Sequence, residues 1–243
     1  MINLLLAFQF LTVIPIKIKD VSEEMLAMSS AYFPFIGLAI GLILLLINTL
    51  LSCFNFPPLI TGIVLAVSLI VITAGMHLDG LSDTADAFLS GKPAEKMLEI
   101  MRDPHIGVMG VLSLLSVILL KIGFLAFLGT PARGTALLLS CVLSRWAAVF
   151  AMYLFPYARK DGKAKVFIEG MNLSVFLFSL AGALLFSLLI WRLKGLLALL
   201  VAAGCTYLFG MFCRRKIGGI TGDTLGANIE MTEIALLFVF CIA

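Results

Sequence analysis

Residues 60–76 read ITGIVLAVSLIVITAGM, and residues 77–86 read HLDGLSDTAD. The first run carries no charge, and the second holds Asp79, Asp83 and Asp86. A helix needs about 20 apolar residues to cross a bilayer. Runs of that kind recur at about 31–54, 57–76, 108–128, 134–155, 173–191 and 195–213. The 243 residues are 62% hydrophobic and 13% charged, against roughly a quarter charged in a soluble domain. The chain therefore reads as all-α: a polytopic integral membrane helix bundle of about six or seven spans, folded as one domain over residues 1–243.

The ends are less regular. The closing run IALLFVFCIA, residues 234–243, spans only if its helix begins upstream near Thr224 and carries Glu230 and Glu233 with it. Residues 1–16 read as an interfacial or re-entrant helix ending at Pro15. They lack a basic leader and a small-residue cleavage site, so no removable signal peptide is expected. The five cysteines lie in or beside apolar runs without disulfide or metal spacing and read as buried small apolar residues. A net charge of +3 with no basic cluster among aromatics argues against nucleic-acid binding.

Segments 17–30, 77–107, 156–172 and 214–233 fall on one side of the bilayer and carry 12 of the 17 Lys and Arg. That bias makes this side cytoplasmic. All 14 Asp and Glu belong to the same four segments. A one-sided acidic face suits an enzyme better than a transporter, which needs groups reachable from both sides.

Each helical residue advances about 100°, so Asp79, Asp83 and Asp86 share one face. Stacked like charges destabilise a helix unless something neutralises them, and Mg²⁺ prefers such oxygens. Gly80 leaves room for close approach. A second stripe, GGITGDTLGANIEMTE at 218–233, aligns Asp223, Glu230 and Glu233 if helical, behind a glycine loop able to turn N–H groups toward an anion. Between them, Pro93 starts a short helix with Met97, Ile100 and Met101 on its apolar face, and Arg102, Asp103 and His105 cluster beyond it. In YARKDGKAKVF, residues 157–167, Arg159 is the cation best placed to meet a ligand. Lys121 and Arg145 fall inside spans, where charges face a bundle interior or cavity, and both are expected to point into one cavity on the cytoplasmic side. The chemistry suggested is Mg²⁺-assisted transfer of a phosphate-bearing group. Phosphodiester synthesis and prenyl transfer both fit.

HLDGLSDTADAF, MRDPHIGVMGVLSLLSVILLK, LSRW, YARKDG and GGITGDTLGANIEMTE, in this order, resemble the cobalamin synthase family, also called adenosylcobinamide-GDP ribazoletransferases. The similarity runs over most of the chain, from FLTVIPI and FPFIGLAIG onward. The family pattern after the aspartates reads like Lys-Asp-Ser-Arg-x-Gly; here Arg102 keeps the first charge and His105 replaces the second.

The resemblance implies that a ribose hydroxyl of α-ribazole, or of its 5′-phosphate, attacks adenosylcobinamide-GDP. Adenosylcobalamin, or its 5′-phosphate, forms and GMP leaves. On that reading Asp79, Asp83, Asp86 and Asp223 are metal ligands for Mg²⁺, and Asp86 foremost takes the hydroxyl proton. Asp103 joins the catalytic aspartates. Arg102 and Arg145 stabilise phosphate charge, and His77, Arg159, Gly222, Asn228 and Glu230 bind substrate. The site faces the cytoplasm from the cell membrane, and homo-oligomers or association with other cobalamin-biosynthesis enzymes are compatible with it. A CDP-alcohol phosphotransferase is the rival enzyme, but Leu81-Ser82-Asp83 after Asp79-Gly80 matches its pattern poorly. A metal or corrinoid transporter would need far-side acids that this sequence lacks.

Overall fold

The structure, a computed structural model, describes residues 2–16, 18 and 20–242. Among them there are helices and no strands. They are α1 (Ile2–Leu11), α2 (Glu23–Ser29), α3 (Phe33–Cys53), α4 (Pro58–Ile72), α5 (Met76–Leu89), α6 (Ala94–Ile100), α7 (Val108–Phe127), α8 (Thr130–Leu154), α9 (Lys165–Glu169), α10 (Leu173–Ile217) and α11 (Gly222–Ile242).

Five helical stretches are long and apolar enough to cross a membrane, or six if the bent α4–α5 pair counts as one span. One of the five, α10, has 45 residues and straight would measure roughly 67 Å, over twice a bilayer core of about 30 Å. It breaks at Trp191 and Arg192, where Arg192 takes φ 49° and ψ −136°. Beyond the break, Gly195 lies against the Ser187 backbone. The legs then return to the same end of α8: Phe176 stacks on Tyr153 at 4.4 Å, and Gly210 abuts Phe155. Two spans with a turn at 191–192 result, as the apolar runs imply.

The packing follows membrane rules, in which small residues let backbones approach. The central column is α8, buried around nearly its whole circumference. Gly37 and Gly41 of α3 rest on the Cys141 and Leu138 backbones, and Gly62 of α4 rests on Ile122 of α7. Leu46, Leu119, Leu189 and Leu200 point outward and exposed, as expected of side chains whose solvent is lipid. Arg133 is buried at the far end, where it donates to the carbonyls of Leu125 and Leu128, each at 2.6 Å. It thereby satisfies the open C-terminus of α7.

The four charged segments meet at one end. Arg102 donates to the Asp161 carbonyl at 3.1 Å, Ala158 N–H to Ile220 O at 2.9 Å, and Lys216 to Phe88 O at 3.3 Å. Ala27 touches Gly170.

Three expectations need correction. The 57–76 run is not one straight span: α4 stops at Ile72, and α5 leaves it at 90°. Positive φ at Ala74 (53°) and Gly75 (67°) makes that bend. The N-terminal helix ends at Leu11, short of Pro15. The last helix, by contrast, does begin upstream, at Gly222 near Thr224, and carries Glu230 and Glu233 inside a span as that reading required. Cys53 is exposed, whereas Cys141 and Cys213 are buried.

Candidate active site

The aspartate helix is held by a glycine crossing. A Cβ on Gly80 would lie 2.6 Å from the Asp223 carbonyl oxygen, and one on Gly226 would lie 3.2 Å from the His77 Cα. Backbone contact between α5 and α11 therefore brings Asp79 and Asp223 to the same place. The start of α11 is fixed by a reciprocal pair: Thr221 N–H donates to Thr224 Oγ1 at 2.7 Å, and Thr224 N–H to Thr221 Oγ1 at 3.2 Å. That is a capping arrangement built from two threonines.

A cavity of about 330 Å³ opens at this crossing. Its polar wall holds His77, Asp79, Lys163, Gly222 and Asp223, and its apolar wall includes Phe10, Phe33 and Phe167. Phe10 packs on Phe167 at 4.5 Å, so α1, whose role the sequence left undefined, closes the cavity. Lys163 is also new. It belongs to a run of four cations in which nothing periodic marks one above another. Arg159 stands beside the cavity and pairs with Asp223 at 2.6 Å.

His77 is buried, and neither ring nitrogen has a hydrogen-bond partner.

Asp86 has a different partner from the one expected. Its carboxylate accepts from Gly107 N–H at 2.7 Å and from Gly110 N–H at 2.8 Å. It thus caps the N-terminus of α7, where an anion is favoured. A Cβ at Gly107 or Gly110 would strike this carboxylate. Asp103 is exposed in the preceding loop and accepts from His105 N–H at 3.0 Å and from its Nδ1 at 2.6 Å. Those bonds lower the Asp103 pKa. Neither Asp103 nor Arg102 lines the cavity; Arg102 is exposed and donates to the Asp161 carbonyl.

Arg145 and Glu230 are not in the cavity either. Lys121 reaches Glu230 at 2.7 Å and Glu233 at 2.5 Å, and Arg145 pairs with Glu233. All four side chains are buried. Lys121 and Arg145 do converge, but on acids that neutralise them and not on open solvent. Asn228, also buried, donates to Thr206 at 3.3 Å. The glycine loop spends its N–H groups internally: Gly218 on Arg214 O and Ile220 on Pro156 O.

A group that would hold a cation must be read from the remaining carboxylates. Among the described residues no three His, Cys, Asp or Glu side chains close into a cage. Mg²⁺ rarely needs one, since it keeps waters and takes one or two carboxylates plus substrate phosphates. The bent-out α5 runs at 90° to α4 and ends where Asp86 meets the start of α7. Its Asp83 is raised to about 7, first by burial and then by the charges of Asp79, Asp223 and Asp86. Crowded carboxylates of this kind fit a divalent cation: they repel one another without it and are relieved by it.

Comparison with known proteins covers nearly the whole chain. The cobalamin-5-phosphate synthase family model matches residues 3–241. A Roseiflexus sp. (strain RS-1) protein named adenosylcobinamide-GDP ribazoletransferase is 41% identical over 232 residues, 95% of this chain and 86% of its own. One of the same name from Desulfitobacterium hafniense (strain Y51) is 38% identical over 241 residues, covering 97% of this chain and 94% of its own. A third, from Caldanaerobacter subterraneus subsp. tengcongensis, is 37% identical over 242 residues, covering 98% and 97%. No solved structure matches the chain.

Proposed function

The chain belongs to the cobalamin-5-phosphate synthase family, and from that premise we propose that it joins adenosylcobinamide-GDP to α-ribazole or its 5′-phosphate. The products are adenosylcobalamin, or its 5′-phosphate, and GMP. The observation that carries this reading is the glycine crossing that sets Asp79 and Asp223 in one cavity, with Lys163 on its wall and Arg159 beside it.

The ribose hydroxyl attacks the phosphorus nearest the corrinoid. A new P–O bond forms, the bond to the bridging oxygen breaks, and GMP leaves with that oxygen. Asp79, Asp83 and Asp223 would hold Mg²⁺, which supplies positive charge against the pyrophosphate and its leaving group. Lys163 and Arg159 add fixed charge where negative charge develops. Arg159 is held by Asp223 and would be free to meet phosphate if Asp223 took a cation. Asp86 is committed to α7, so the hydroxyl proton falls to a carboxylate of the crossing that the cation leaves free. The phenylalanine wall from α1, α3 and α9 keeps water from the phosphorus. The chain lies in the cell membrane with the cavity toward the cytoplasm, since most of its basic residues flank that end.

The test uses purified protein in lipid nanodiscs with Mg²⁺ and both substrates. Adenosylcobalamin and GMP should form in equal amounts and only when ribazole is present. GMP release without ribazole, or no release at all, overturns the assignment.

A further inference from the structure

A second, wider opening lies beside the cavity that holds Asp79 and Asp223. A groove of about 1260 Å³ opens between α2, α9 and the first turns of α10, beside the cavity of about 330 Å³. One strip of chain walls both. Asp161, Gly162 and Lys165 line the groove, while Lys163, Ala164 and Phe167 line the aspartate cavity. We propose that the groove binds the corrinoid half of the donor, while the smaller cavity takes its diphosphate. This rests on the reaction assigned above.

Size and charge both favour it. Pockets of roughly 300–1,000 Å³ hold ligands of drug size. A nucleotide joined to a corrinoid with its adenosyl group is far larger, so the aspartate cavity alone does not contain it. The two halves also differ in charge. Trivalent cobalt, set against a monoanionic ring and a bound carbanion, leaves the corrinoid with a fixed positive charge, while the other half is polyanionic. The groove answers with Glu23, Glu24, Asp161 and Glu169 against Lys165. The smaller cavity has Lys163 on its wall and Arg159 at its edge. This asymmetry lets the donor lie in one direction and opposes the reverse. Tyr32 and Phe178, with ring centroids 5.3 Å apart, give the groove an apolar wall for the macrocycle.

Adenosylcobinamide, which carries no phosphate, isolates this half of the recognition. It is titrated by equilibrium dialysis against the full chain in nanodiscs, beside steady-state kinetics with the complete donor. The double variant Glu24→Gln/Glu169→Gln should bind adenosylcobinamide about fivefold to tenfold more weakly. Its KM for the donor should rise by the same factor, with kcat and the KM for α-ribazole unchanged. Met28→Trp narrows the groove without altering charge and should act alike. Asp79→Ala should abolish GMP release yet keep adenosylcobinamide binding. Wild-type binding by both groove variants, or no binding by the wild type, overturns the proposal. If the groove variants lose binding but the wild type releases no GMP, the assigned reaction fails and the groove stands.

Discussion

Glu233 is the keystone of the buried charge cluster, and its removal has a calculable consequence. Lys121, Arg145, Glu230 and Glu233 form a neutral set of two cations and two anions, none more than 6% exposed. Glu233 alone touches both cations. Glu233→Gln leaves Lys121 with Glu230 but strands Arg145, which no other carboxylate meets among the described residues. Removing one partner of a buried ion pair costs about 3–5 kcal/mol. For a chain of this size each kcal/mol is worth about 2–4 °C, so the midpoint should fall by roughly 10 °C. Replacing both partners, as in Glu233→Leu/Arg145→Leu, removes the stranded charge and should restore most of that loss. Thermal unfolding in nanodiscs, read by tryptophan fluorescence, measures both. If Glu233→Gln shifts the midpoint by less than about 2 °C, or if the double variant costs more than Glu233→Gln, the cluster does not stabilise the fold in this way.

Three further outcomes follow from the site. Gly110→Ala puts a Cβ into the Asp86 carboxylate, and loss of that cap should lower stability by about 1–2 kcal/mol, measured by the same unfolding assay. Asp86→Ala should cost a similar amount, and combining the two should add little. The raised Asp83 means that the folded chain holds this proton more tightly than the unfolded chain. Metal-free stability should therefore fall as pH rises from the ordinary carboxylate range to about 7 and then level off. Mg²⁺ binding should release nearly one proton at about pH 6 and almost none at about pH 8, as calorimetry in buffers of different ionisation enthalpy would reveal.

The bundle was legible because bilayer physics leaves few choices. Apolar runs of span length became helices, except that 57–76 breaks after Ile72, and Arg192 between two such runs marked the turn inside α10. The i, i+4, i+7 spacing of Asp79, Asp83 and Asp86 was correctly helical. What each carboxylate meets was not legible. Asp86 is bound by amides 21 and 24 residues away, and Lys121 meets acids more than 100 residues on. Spacing along one helix says nothing about such partners. The bend at Ala74 was hidden because alanine seldom adopts positive φ; the neighbouring Gly75 was the only hint. The wall formed by α1 had no signal, since ten residues with only Asn3 and Gln9 polar fit an interfacial or a re-entrant helix equally.

The central claim is that Asp79 and Asp83 serve the transfer through a divalent cation. GMP release from adenosylcobinamide-GDP and α-ribazole, compared between the wild type and Asp79→Ala/Asp83→Ala, tests it most directly. The wild type should release GMP with Mg²⁺ and stop when EDTA removes it. The double variant, still folded by its melting curve, should release none at any Mg²⁺ concentration. GMP release by the folded double variant at the wild-type rate would contradict the account.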